Sequence, residues 1–242
     1  MTTTGDFPLH ERLNAASAAT TPAATLTALA TDPHTMVRTW VAEHPNTPTT
    51  TLTRLANDPS PLVKSSVAEN LNTPTTTLTR LATDPNVDIR KRVASNHSTP
   101  SPTLASLASD ISLSVRAIIA ANRNTPPEAL GQLATDSDYD TLTRVATNPN
   151  TGADTIHQLV HNPDVGHTAA TTGRTNVLRA HANTLDEPAR SRAHLLIEHG
   201  FPGWEADLDL VLARHHTTAV PPPVVTAGTP ARRHSHPHGH RY

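Results

Sequence analysis

The chain contains no cysteine. That excludes disulfides, Cys-ligated zinc and Cys-ligated iron–sulfur clusters. Aromatic residues are scarce as well, at 2% of 242 residues. A compact globule of this size normally fills a thick core with Phe, Tyr and Trp. Here the 36% hydrophobic content is almost all Leu, Val and Ala, which suits a thin core repeated along an axis. Charge of one sign is also missing. The net charge of −2 with His neutral gives no overall pull toward nucleic acid or an anionic membrane. No stretch approaches the roughly 18 uninterrupted apolar residues of a membrane span. The N-terminal residues 1–30 lack a basic region followed by an apolar run, so no signal peptide is expected, and the cytoplasm is the expected compartment.

Signatures of catalysis are absent too. There is no Gly-rich phosphate loop, no His-Glu-x-x-His and no Gly-x-Ser-x-Gly. Asp136, Asp138 and Asp140 alternate but lack the Gly and distal Glu of a calcium loop; a solvated loop is the reading. No catalytic residue, metal ligand set or cofactor is expected, and the chain reads as a non-enzyme.

What the sequence does have is a strict period. Thr21, Thr47, Thr73, Thr99, Thr125 and Thr151 are each 26 residues apart, and Pro follows in five of the six copies. Five residues past each Thr stands Leu26, Leu52, Leu78, Leu104, Leu130 or Ile156. Three further on comes Leu29, Leu55, Leu81, Leu107, Leu133 or Leu159, followed by Ala30, Ala56, Ala82, Ala108, Ala134 or Val160. A period of this length marks a solenoid or array. Thr-Pro reads as a helix start, with Thr capping free N–H groups and Pro at the first helical position. Glu128, three after Thr125, reads as a capping box. Asp32-Pro33, Asp58-Pro59 and Asp84-Pro85 read as a second start, with Asp110 and Asp136 keeping the cap. Val37, Val63, Ile89 and Val115, then Val41, Val67, Val93 and Ile119, give that second helix its apolar face. Asn70, Asn96, Asn122 and Asn148, with His44 in the first copy, read as stops in the left-handed conformation.

Two short antiparallel helices with one apolar face each cannot bury those faces alone, and stacking the units does so. The expected fold is all-α, a right-handed α-α superhelix of about six 26-residue two-helix repeats. The expected organisation is an N-terminal cap at 1–20, six repeats at 21–176, a C-terminal helical cap at 177–216 and a disordered Pro/His-rich tail at 217–242. The phrases Thr47-Pro-Thr-Thr-Thr-Leu-Thr-Arg-Leu-Ala-Asn-Asp-Pro59 and Ile89-Arg-Lys-Arg-Val-Ala-Ser-Asn96 resemble the leucine-rich repeat variant family, a relative of HEAT-like repeats. The resemblance implies a superhelix of alternating α and 3₁₀ helices. Some members carry a cysteine cluster with iron–sulfur, which a chain without Cys cannot share.

Arg38, Lys64, Arg90 and Arg116 form a basic column, each six residues after an Asp. They read either as a structural Asp–cation ladder between repeats or as phosphate contacts. Positions that vary between copies of the second helix are Met36/Leu62/Asp88/Ser114/Asp140, Thr39/Ser65/Lys91/Ala117/Thr143 and Trp40/Ser66/Arg92/Ile118/Arg144. They are expected to face solvent or a partner. Trp40, Lys91, Arg92, Ile118 and Arg144 are the candidate partner contacts, with packing under the N-terminal cap as the alternative for Trp40. His234, His236, His238 and His240 suit weak, adventitious metal binding. The functional expectation is a macromolecular-interaction scaffold for an unidentified protein or peptide. The alternatives are a nucleic-acid-binding solenoid or an accessory domain of a separate enzyme.

Overall fold

The computed structural model describes residues 7–166 and Thr172. Among them are twelve helices and no strand. The first helices of the repeats are α2 (Ala23–Leu29), α4 (Thr49–Leu55), α6 (Thr75–Leu81), α8 (Ser101–Leu107), α10 (Pro127–Leu133) and α12 (Ala153–Val160). The second helices are α3 (Thr35–Glu43), α5 (Pro61–Glu69), α7 (Val87–Ser95), α9 (Leu113–Ala121) and α11 (Tyr139–Thr147). They are preceded by α1 (Leu9–Ser17), which stands one period before α3 and packs on it. The second helices stack in chain order, α1 on α3 through to α9 on α11, with the first helices alongside. The chain is an all-α solenoid. Among the described residues, no helix is long and apolar enough to cross a membrane. The expected segments at 177–216 and 217–242, with their histidines, lie outside the described residues.

The core follows the columns. Leu52, Leu55, Ala56, Val63, Val67 and Ala68 of one repeat are all buried, and their equivalents in the repeats on either side are buried too. Each fully buried Leu or Val contributes roughly 1.5–3 kcal/mol relative to exposure. Helices of seven to nine residues are too short to be stable alone in water, so stacking holds them.

The helix ends differ from the local reading. Both helices of each repeat are α, not alternately 3₁₀. Tight i→i−3 bonds occur in the turn after each first helix, where the N–H of Asp32, Asp58 and Asp84 donates to Leu29, Leu55 and Leu81 at 2.9–3.1 Å. Pro48 and its equivalents are the N-cap residues rather than the first helical ones, with extended ψ near 145° (143° at Pro48). Their threonines do not cap. Thr47, Thr73, Thr99, Thr125 and Thr151 donate backward to the carbonyls of Val41, Val67, Val93, Ile119 and Val145 at 2.5–2.6 Å. Those carbonyls belong to the last turn of the preceding helix, which leaves acceptors without intrahelical partners. The Thr125–Glu128 capping box does not form, as α10 has no side-chain cap bond.

The second helices start two or three residues later than Asp-Pro suggests. Asp32, Asp58, Asp84, Asp110 and Asp136 each accept from the N–H two residues on, at 2.8–3.0 Å, forming Asx turns. The asparagines at the helix ends are extended rather than left-handed, as at Asn96 with φ −71° and ψ 122°. Their amides reach into the previous repeat. Asn96 Nδ2 donates to the Ala68 and Asn70 carbonyls at 2.7 and 3.2 Å while its Oδ1 accepts from Ser98 N–H at 2.7 Å. Asn70 and Asn148 repeat the arrangement in full.

Candidate interaction surface

The basic column is turned along the stack. Arg38 meets Asp58 at 2.7 Å, Lys64 meets Asp84 at 2.5 Å, Arg90 meets Asp110 at 2.7 Å and Arg116 meets Asp136 at 2.5 Å. Arg12 meets Asp32 at 2.8 Å in the same way. Each pair joins one second helix to the Asx turn of the next repeat, twenty residues on. Arg38, Arg90 and Arg116 are bidentate, and Arg38 Nη1 also donates to the carbonyls of Asp32 and Pro33 at 2.9 and 3.2 Å. The side chains are largely buried, 13% exposed for Arg90 and 6% for Asp110.

Burial pushes the Asp58, Asp84 and Asp110 carboxyls up, but the paired cation and the Asx-turn amide outweigh it and hold them below the usual carboxylate range. At Asp136 the hydrogen bond from Arg116 is the largest influence, with the same result. The ladder ends with both partners changed together. Leu142, buried, stands where the next cation would be, and Asn162 where the next Asp would be.

The varying positions do not form one solvent face. Thr39, Ser66 and Ala117 are buried, and Trp40 and Ile118 pack partly against the core. For Trp40, Ser66 and Ile118 the reason is the direction of their shared column with Arg92, which points back at the end of the previous second helix. Ser66 donates to Glu43 at 3.0 Å, and Arg92 pairs with Glu69. Arg144 would meet Ala121 in that register; it pairs instead with Asp140 on its own helix at 2.9 Å. Lys91 likewise pairs with Asp88 at 3.1 Å. Lys91 and Arg92 share α7, while Trp40, Ile118 and Arg144 sit on α3, α9 and α11.

A different surface gathers exposed apolar side chains. Along the edge where the second helices begin run two columns of one register. One is Phe7, Pro33, Pro59, Pro85 and Ile111; the other is Leu9, Thr35, Pro61, Val87, Leu113 and Tyr139, with Met36 and Leu62 beside it. All but the half-buried Thr35 are exposed, and Ile111 is 92% exposed. Sequence reasoning treated the prolines as helix punctuation and did not follow their column to Phe7 and Ile111; the 26-residue register was the signal available. A cavity of about 240 Å³ lined by Phe7, Glu11, Arg12, Ala15, Thr25 and Leu29 lies at the N-terminal end of this edge.

The opposite edge, where the second helices end, is lined mainly by polar side chains, with Leu71 exposed among them. Asn72, Ser98 and Asn124 donate to the carbonyls of Pro45, Leu71 and His97 in the previous repeat at 2.6–2.9 Å. A shallow groove of about 850 Å³ crosses it between the turns at 99–101, 123–127 and 149–153. Among the described residues, no group of three or more His, Asp or Glu is placed to hold a metal ion.

The match to a family model agrees with the repeat. The family model described as leucine rich repeat variant matches residues 36–60 and 114–138. A solved structure described as a leucine-rich repeat variant with a novel repetitive structural motif is 27% identical over 74% of this chain and 72% of its own, with a TM-score of 0.49. The crystal structure of an engineered protein is 17% identical over 72% of this chain and 94% of its own, with a TM-score of 0.32. No curated protein matches the chain.

Proposed function

We propose that this chain, whose repeats are leucine-rich repeat variant repeats, is a non-catalytic scaffold that binds a protein or peptide along the apolar edge of its solenoid. The observation that supports this reading is the exposure of Ile111, Leu113 and Tyr139 at 92%, 52% and 59% on consecutive repeats. Contiguous exposed apolar side chains of this size mark interaction surfaces. Each contributes on the order of 1.5–3 kcal/mol when a partner covers it. Trp40 and Ile118 pack partly against the core away from this edge, while Lys91, Arg92 and Arg144 add polar contacts on α7 and α11. Phosphate tracking by Arg38, Lys64, Arg90 and Arg116 is disfavoured because each is engaged by a carboxylate.

The test is affinity capture from nuclease-treated native lysate with the full chain and with an Ile111→Asp/Leu113→Ser variant. Neither substitution touches the core, so both proteins keep the same helical circular dichroism. The expected result is a protein partner retained by the wild type and depleted about tenfold or more by the variant, as for loss of a hot spot. Equal retention by both, or nucleic acid released by salt from untreated lysate, overturns the reading.

A further inference from the structure

The apolar edge is not uniform along its length. Its outer column holds Pro33, Pro59 and Pro85 and then Ile111. Ile111, Leu113 and Tyr139 are the most exposed large apolar side chains of this edge, and all three lie toward its C-terminal end. That end is also acidic. With His neutral, residues 124–166 carry Glu128, Asp136, Asp138, Asp140, Asp154 and Asp164 against Arg144 alone. Asp138 and Asp140 stand on either side of Tyr139, and Arg144 is already engaged by Asp140.

The edge offers an occupant no main-chain ladder. Pro33, Pro59 and Pro85 have no N–H. The carbonyls of Pro33, Pro85 and Ile111 accept from Arg38, Arg90 and Arg116 at 3.2, 3.1 and 3.4 Å. A strand added by backbone hydrogen bonds therefore finds no partners here. A polyproline II segment needs none, and it advances about 9 Å in three residues. Stacked helices lie roughly 8–10 Å apart, so one side of such a segment meets each repeat in turn. An α-helix advances about 5.4 Å in one turn and about 11 Å in two, out of step with the row.

The chain itself carries a segment of this chemistry. Ala219-Val-Pro-Pro-Pro-Val-Val225 is apolar throughout. Consecutive prolines favour polyproline II and bring no N–H to be stranded on an apolar surface. Arg232, Arg233 and Arg241 follow, and residues 217–242 contain no Asp or Glu. The sign is opposite to that around Tyr139.

We propose that residues 219–225 lie along the Ile111–Tyr139 end of the apolar edge of their own chain, with the cationic stretch after them against the acidic end. A partner then gains the edge by displacing this segment. This covering role rests on the reading of the edge as a binding surface. Tethering lets a segment of weak intrinsic affinity cover a site in its own chain.

Because the chain has no cysteine, Ala227→Cys places a single nitroxide in the full-length protein. Amide signals of the ¹⁵N-labelled chain are compared with the nitroxide oxidised and reduced. The expected result is loss of intensity at Ile111, Leu113 and Tyr139, with Asn72, Ser98 and Asn124 on the opposite edge unaffected. Val224→Asp/Val225→Asp restores the intensity, and so does Ile111→Asp/Leu113→Ser. Intensity kept at the three positions, equal loss on both edges, or loss that survives both double substitutions overturns the proposal. Loss in ¹⁵N chains without a nitroxide, mixed with spin-labelled ¹⁴N chains, makes a second copy the occupant and overturns it too. The purified chain is measured without a partner, so the result is independent of the capture experiment. Intensity kept beside a captured partner overturns this docking and keeps the binding reading; loss without any captured partner does the reverse.

Discussion

Where the second helices end, Asn70, Asn96, Asn122 and Asn148 pass their amide protons to carbonyls of the previous repeat, and a second row at Asn72, Ser98 and Asn124 does the same outside them. Where the second helices begin, the polar partners are turned inward. The carboxylates of Asp58, Asp84, Asp110 and Asp136 each close an Asx turn and take a cation from the repeat before. Apolar side chains are left exposed along that edge, among polar ones such as His34, Asp88 and Asp140. Both edges are joined by buried or half-buried polar columns, and the core supplies the rest. The exposed apolar column is therefore not required to hold repeats together, which is the physical basis for assigning it to a partner.

Breaking one edge at a time sharpens the contrast. The largest effect is expected from Arg90→Leu, which leaves the nearly buried Asp110 carboxylate without its cation. Removing one member of a buried pair costs about 3 kcal/mol. Adding Asp110→Asn is expected to recover most of it, since Leu142 and Asn162 already occupy those two places one repeat from the ladder's end. Asn162 still makes the Asx turn, accepting from Asp164 N–H at 2.9 Å. Urea denaturation of the two singles and the double gives the coupling; additive losses would show that the pair does not act as a unit.

On the other edge, Asn96→Ala orphans the Ala68 carbonyl and the Ser98 N–H, while the Asn70 carbonyl keeps the Thr73 N–H. The expected loss is about 2 kcal/mol, read by the same denaturation, and a change under about 0.5 kcal/mol would mean that water replaces the amide. The smallest effect concerns acid. The ladder carboxyls are held below the usual range, so their stabilisation is present above the unfolded-state value and is lost only as pH falls through the lower folded one. The stability that the ladder contributes is expected to change by under about 0.5 kcal/mol between about pH 7 and about pH 5, then fall. An earlier decline would mean that other groups dominate acid sensitivity.

Period, helix pairing and core columns were legible because burial repeats with the chain. Leu52, Leu55, Val63 and Val67 announce their burial by spacing alone. The roles of Thr, Asp and Asn were misread because capping rules look a few residues away, whereas the partners of Asn96 lie 26 and 28 residues back. Of the candidate partner residues, Trp40 and Ile118 looked variable and hence free. Their column points between helices, a direction that appears only once the second helices are stacked. Ile111 was hidden for the opposite reason. It continues a column of prolines, and proline is read first for its backbone.

The partner offsets set which changes in length the chain tolerates. Arg38 reaches Asp58 and Asn70 reaches back to Ala42, so every tie crosses a boundary by a fixed interval. Excising residues 39–64, one full period, sets Arg38 against Asp84 and gives Asn70 the place of His44. No donor or acceptor in those columns loses its counterpart. A cut of any other length shifts every offset downstream at once. Whole-unit gain or loss is thus a nearly silent event for this architecture, wherever in the unit it falls, and a partner lying along the apolar edge would be met by a longer or shorter row with unchanged pitch.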